Sequence, residues 1–252
     1  WIAMPVITGQ KTESEKFAGA LRTYSCETMM QDGKALQAGT SHNLGQNFAK
    51  AFDLSFQSES GSREFAWNTS WGVSTRLIGG LVMTHSDDNG LIIPPLLAPT
   101  ELVIVPIWRT EEEKSAVYEA AHRIKNTLGS WERREPARLR VHLDDREGMK
   151  PGAKYYHWET RGVPLRLEIG PRDVGANQGV LVRRDTRAKQ TVSLDTLGED
   201  VHEALSAMQR DLLVAARGRL DAKSKRTITS YDEFRQFMES EEGGFVFAGW
   251  NG

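Results

Sequence analysis

Thr69-Ser70-Trp71-Gly72-Val73-Ser74-Thr75-Arg76-Leu77-Ile78-Gly79 follows the apolar and aromatic run Phe65-Ala66-Trp67. The run reads as a strand over residues 65–71. Leu77, Ile78, Leu81 and Val82 then share one side of a helix over residues 74–85. The turn between them sets a permanent cation, Arg76, at the mouth of a helix, where backbone N–H groups and a guanidinium together suit a phosphate chain. A second small, polar, Gly-hinged string lies upstream, Leu36-Gln37-Ala38-Gly39-Thr40-Ser41-His42. It reads as part of a strand over residues 34–42. The two strings on neighbouring strands predict the floor of a nucleotide and small-molecule pocket.

Composition bounds the class. The chain has 252 residues, 39% of them hydrophobic and 26% charged, which suits one large or two modest globular domains. A net charge of -2 supplies no global basic field, so any contact with RNA must come from local patches. The single cysteine, Cys26, excludes a disulfide framework and fits a reducing, cytoplasmic setting. The apolar runs at residues 91–99 and 102–107 are far shorter than the roughly 20 residues of a membrane span, so no membrane partner is expected. The chain opens Trp1-Ile2-Ala3-Met4-Pro5 and closes just after an apolar run. The expectation is a piece of a longer protein in which half of a site is missing.

Outward from the two strings, Thr12-Glu13-Ser14-Glu15 has the form of a capping box. A helix is predicted over residues 14–31, with Phe17, Leu21, Tyr24 and Thr28 on one face, Cys26 among its apolar neighbours and Asp32-Gly33 ending it. A short helix follows at residues 43–52, a Ser/Gly-rich loop at 57–63, a turn at 86–90 and an apolar strand at 91–93. Pro94, Pro95 and Pro99 mark a boundary. Beyond it strands and helices alternate, which predicts a small α/β domain around a mixed sheet. Its strands are residues 102–107, unalternating and so buried on both faces, 139–143, 165–169, 179–183 and 190–193. Its helices are residues 111–128, with Val117, Ala121, Ile124 and Leu128 inward, and 153–161 after Lys150-Pro151-Gly152. A long helix over residues 201–224 carries Arg210, Arg217 and Arg219, and Lys223, Lys225 and Arg226 continue its basic run, a face able to track phosphates. A helix at 230–240 and an apolar run at 245–250 complete the chain. The domains expected are 1–99, 100–200 and 201–252.

These strings resemble the class II aminoacyl-tRNA synthetases, and among them the prolyl-tRNA synthetases of the archaeal and eukaryotic-like type. The resemblance rests on residues 11–20, on 32–52, on Thr69 to Arg76 and on Gly90-Leu-Ile-Ile-Pro-Pro95. It continues through Lys150-Pro-Gly, Trp158-Glu159, Gly162-Val-Pro-Leu-Arg166, Gly170-Pro-Arg-Asp173 and Arg183-Arg-Asp185. It implies an α/β (α+β) fold: part of a class II antiparallel sheet domain, then an anticodon-binding domain with a mixed sheet, then the start of a C-terminal domain. It also implies ATP-dependent activation of proline to prolyl-adenylate and transfer to tRNA(Pro), with ATP and Mg2+, by a full-length homodimer.

By the same resemblance Arg76 is the catalytic arginine that grips the triphosphate, and Gln37 and Thr40 also bind ATP. His42, Trp71 and Gly72 form the proline pocket. Glu159, Arg166, Asp173 and Lys189 read the two guanines shared by proline anticodons, since carboxylates accept from guanine N1 and N2 while Arg and Lys donate to O6 and N7. The family's motif 1 and motif 2 are absent from this chain, so it is not expected to activate proline alone. Asn251 stands where many relatives carry a zinc-binding cysteine, and His85 with Asp87 and Asp88 reads as a helix end and turn, so no metal site is expected. Two alternatives remain: a non-catalytic, tRNA-binding synthetase paralogue, and a class II enzyme for threonine or histidine.

Overall fold

The computed structural model describes residues 1–130, 138–240 and 243–249. The chain divides into two compact units, Met4–Thr84 with Ala216–Gly252, and Trp1–Ala3 with His85–Ala215.

The first unit holds β1 (Ile7–Gln10), β2 (Arg22–Met29), β3 (Ala35–Gly45), α1 (Asn47–Ala51), β4 (Ser55–Gln57), β5 (Arg63–Phe65), β6 (Asn68–Gly72) and α2, whose helix is Arg76–His85. Strands β1, β2, β3 and β6 pair in that order, antiparallel throughout, and β4 and β5 form a separate hairpin. The helix expected over residues 14–31 does not form. Thr12 begins only a single turn, its carbonyl accepting from Lys16 N–H (3.0 Å). Gly19 then takes φ +85°, outside any right-handed helix, and residues 22–29 extend as β2. Cys26 therefore lies on a strand, half-buried, at a β-bulge with Glu27. The predicted short helix is confined to α1, because Asn43 to Gly45 still belong to β3. The stretch 65–71 is two strands interrupted at Ala66-Trp67. Residues 91–93 form no strand, and Leu91 N–H instead bonds the Thr160 carbonyl (3.2 Å).

The second unit is built on β7 (Leu102–Pro106), α3 (Glu111–Ser130), β8 (Val141–Leu143), α4 (Pro151–Thr160), β9 (Leu165–Ile169), α5 (Pro171–Gly175), β10 (Gln178–Arg183), β11 (Lys189–Ser193) and the part of α6 (Leu197–Ala222) that precedes residue 216. The sheet runs β11-β10-β9-β7-β8, with β7 parallel to β8 and β9 and the other pairs antiparallel. Every residue of β7 and β9 is buried. The reason is a helical cover on both faces. Leu102 and Ile104 join Val117, Ala121, Ile124 and Leu128 of α3 and Val201 and Leu205 of α6 in the main core. Val103 and Val105 pack instead with Val163, Tyr155 and Trp158. Each fully buried aliphatic side chain of this kind contributes about 1.5–3 kcal/mol. In the remaining stretch β12 (Ser224–Lys225) pairs in parallel with β13 (Phe245–Val246), and α7 (Tyr231–Glu239) is capped by the Ser230 hydroxyl. Asn251 and the end of the predicted 245–250 run lie outside the described residues. Among those described, no helix is long and apolar enough to cross a membrane.

The turn Asp87 to Gly90 is bolted to the end of α4. The buried Arg184 guanidinium donates to both Asp87 carboxylate oxygens (2.6 and 3.0 Å), to the Gly90 carbonyl (3.1 Å) and to the Glu159 carbonyl (3.0 Å). Hydrogen bonds from Arg184 hold the Asp87 carboxyl at about 2, below its ordinary 3.8. A depressed carboxylate contributes stability above the unfolded value and loses it as pH falls through the folded one. Acid unfolding of wild-type protein should therefore steepen between 3.8 and about 2, and in Asp87→Asn that component should vanish. Gly90 has φ +129°, and a Cβ there would stand 2.5 Å from Thr160 Cα. Gly90→Ala is expected to cost about 1–3 kcal/mol, read by urea denaturation.

Candidate functional site

In the first unit an open cleft of about 340 Å³ is lined by Gln37, Ala38, Gly39, Thr40, His42, Ser70, Trp71, Gly72, Val73, Ser74 and Arg76. The sheet brings them together. Thr40 pairs with Gly72 and His42 with Ser70, so these four share a face. Gln37, three residues from Thr40, would point away in a regular strand. The bulge opposite Cys26 and Glu27 inserts Ala38 and restores its phase, with Glu27 opposite Gln37 and Gly39 opposite Cys26. Trp71 pairs with Ser41, out of phase with the Thr40 and His42 pairs, so strand alternation turns its ring from their face. It lines the rim and is 76% exposed. A Cβ on Gly72 would meet nothing within 4 Å, so that corner is open space.

Three of these side chains are set by neighbours. Lys11 Nζ donates to Gln37 Oε1 (2.8 Å), and an ammonium can only donate, so the amide turns its NH2 away from Lys11. His42 Nδ1 lies 3.0 Å from Thr23 Oγ1, and its ring packs 4.8 Å from that of Phe17. Arg76 is the first residue of α2 and is exposed, and its own N–H bonds Ser74 Oγ (3.3 Å). A cation at a helix N-terminus opposes the helix dipole. Its position makes sense with an anion between guanidinium and helix end. No carboxylate lines this cleft.

In the second unit the other four residues fall around Tyr155. The Arg166 guanidinium lies 4.1 Å from that ring centroid. It donates to Glu159 Oε1 (2.7 Å) and, through Nε and Nη2, to Glu168 Oε1 (3.1 and 2.9 Å). Lys189 reaches the second Glu168 oxygen at 3.6 Å. Arg166 and Glu168 are buried and Lys189 is exposed, so the inner pair depends on its own geometry while the outer one is screened. Burial first, then the charges of Glu168 and Asp173, push the Tyr155 hydroxyl well above its usual range. Asp173 Oδ2 accepts from Gly170 N–H (2.8 Å), capping α5, which leaves Oδ1 for another donor. Lys11, Thr23, Tyr155 and Glu168 escaped the sequence reading. Only Glu168 carried a signal, a second charge beside Arg166 alternating with the apolar residues of Leu165 to Ile169. His85 Nε2 meets the Ile2 carbonyl (3.0 Å) while Asp87 is held by Arg184, so those two do not converge.

Residues 101–204 match the family described as "Anticodon binding domain". Over its whole length the chain is 50% identical to a proline–tRNA ligase of Chloroflexus aggregans, covering 51% of that protein. It is likewise 50% identical to a proline–tRNA ligase of Chlorobium phaeobacteroides and 49% identical to one of Salinibacter ruber, covering 50% of each. The chain thus spans about half the length of the curated relatives it matches. Residues 101–204 thus match an anticodon-binding domain of the class II tRNA synthetase kind, and along its whole length the chain is similar to about half of each of these proline–tRNA ligases.

Proposed function

We propose that the full-length protein containing this chain is a proline–tRNA ligase, which activates proline with ATP and transfers it to tRNA(Pro). The observation that carries the reading is the cleft: its polar side chains are donors or hydroxyls and its one charge is Arg76. Such a lining accepts a triphosphate and a carboxylate together. Gln37 and Thr40 bind the nucleotide, Arg76 neutralises charge as pyrophosphate leaves, and His42 and Gly72 border the amino acid. Trp71, on the rim, shields them from the side. The resemblance brings with it a homodimer and a cytoplasmic place of action.

Magnesium takes oxygen ligands, commonly one or two carboxylates with substrate phosphates. Glu27, opposite Gln37 but outside the cleft lining, is the only acid on the four strands of the sheet, and it would be the sheet's one carboxylate available to the ion. The ion would offset phosphate charge there.

Glu159, Arg166, Asp173 and Lys189 form the guanine-reading patch, with carboxylates accepting from N1 and N2 and cations donating to O6 and N7. Titrating the protein with tRNA(Pro) and with transcripts whose two anticodon guanines are replaced tests it. Each replacement should cost about 1–3 kcal/mol. Equal affinity for all transcripts would refute the anticodon reading. In Asp173→Ala the same discrimination should shrink, and loss of the α5 cap should cost a further ~1 kcal/mol of stability.

A further inference from the structure

Thr23 stands on β2 directly opposite His42 on β3 and is 1% exposed. Its hydroxyl oxygen accepts from the Phe17 N–H (3.0 Å) and lies 3.0 Å from His42 Nδ1. A hydroxyl has one proton to give, and among the described residues His42 Nδ1 is the only acceptor within reach of this one. If Nδ1 carried the hydrogen, it would donate to Thr23, and the buried Thr23 proton would be left without an acceptor. Buried donors are seldom left so. The chain of hydrogen bonds therefore runs one way, from the Phe17 N–H to Thr23 Oγ1, and from the Thr23 O–H to His42 Nδ1. The ring hydrogen is left on Nε2, the nitrogen with no protein partner among the described residues, in a side chain that lines the cleft. Phe17 packs on the same ring and fixes its plane.

We propose that Thr23 is a positioning residue that holds His42 in its Nε2–H tautomer, so that the cleft meets the carboxylate of the amino-acid substrate with an imidazole N–H donor. The identity of the ligand rests on the proposed function, whereas the tautomer rests on the hydrogen bonds alone. Thr23 touches no substrate. It acts by denying Nδ1 a hydrogen, and the segment bearing Phe17 acts through it. The opposite tautomer would turn a lone pair toward a carboxylate and repel it.

The test is the long-range proton–nitrogen NMR correlation of the His42 ring, recorded on the full chain at mildly alkaline pH. Wild-type protein should show a hydrogen on Nε2 and a bare Nδ1. Thr23→Val, which keeps the shape and removes the hydroxyl, should show a mixture of tautomers, and Thr23→Ser should restore the wild-type pattern. A wild-type ring with its hydrogen on Nδ1 overturns the proposal without any variant, as does a folded Thr23→Val with an unchanged spectrum. In the full-length protein, Thr23→Val should raise KM for proline by about two- to tenfold, the range of one lost hydrogen bond. KM for ATP should stay unchanged, and Thr23→Ser should recover the proline value. An Nε2–H tautomer without any proline-dependent reaction would leave the tautomer assignment standing and remove the ligase reading.

Discussion

Arg76→Ala in the full-length protein should lower proline-dependent ATP–pyrophosphate exchange by about 100- to 1,000-fold, the usual effect of losing one preorganised charge at a reacting group. The geometry explains why the loss should be large and selective. Arg76 is exposed at the first turn of α2 and lines the cleft. It contributes little to folding, so stability should change by no more than about 0.5 kcal/mol. Relief of the unfavourable interaction between a cation and a helix N-terminus should even offset part of that. Affinity for tRNA should stay as in wild type, because the anticodon-binding domain is residues 101–204. Arg76→Lys should recover only part of the activity, since an ammonium cannot grip two phosphate oxygens in the planar manner of a guanidinium. A variant with normal exchange kinetics would remove Arg76 from the reaction.

Arg166→Ala is expected to act in the opposite sense, on stability and tRNA rather than on exchange. The substitution strips Glu168, itself buried, of its bidentate partner and leaves it with Lys189 at 3.6 Å and the Tyr155 hydroxyl. Removing one member of a buried pair costs about 3–5 kcal/mol, most of it the uncompensated charge. The loss here should sit near the lower end, about 3 kcal/mol, because two weaker partners remain. The double variant Arg166→Met with Glu168→Gln removes both charges and should regain most of the stability in urea denaturation. It should not regain discrimination between guanine-bearing and substituted anticodons. That split separates a recognition role from a structural one: recovery of both together would make the network purely structural.

Legibility in the sequence followed the burial pattern. Strand β7, helix α3 and strand β9 were readable because their apolar residues answer to a packed core on one or both sides. Strand β2 was not. Thr12 to Glu15 has capping-box form, and Phe17, Leu21, Tyr24 and Thr28 have helical spacing. Of the four buried residues of β2, Thr23, Ser25 and Thr28 are polar and only Met29 is apolar, so alternation leaves almost no hydropathic trace. The left-handed Gly19 was the available clue. At the cleft, Gln37, Thr40, His42, Gly72 and Arg76 were legible as parts of two strings. What brings Gln37 into phase with the others is a bulge, a feature of pairing that no single strand announces. Trp71 shows the converse, since a ring near the right residues in sequence lands out of phase with them once the register is known. Glu168 was hidden for a third reason. It lies on a strand covered on both faces, where a charge is tolerated only because Arg166, two residues before it on the same strand, and Lys189 and Tyr155, from two other elements, meet it.

The central claim is that the full-length protein activates proline and that this chain supplies the arginine end of the nucleotide site. Amino-acid-dependent ATP–pyrophosphate exchange, run with all twenty amino acids on the full-length protein and on Arg76→Ala, tests it most directly. The account predicts exchange with proline alone among the twenty, collapsing in the variant. Exchange with threonine or histidine instead, or no exchange with any amino acid while tRNA binding persists, would contradict it.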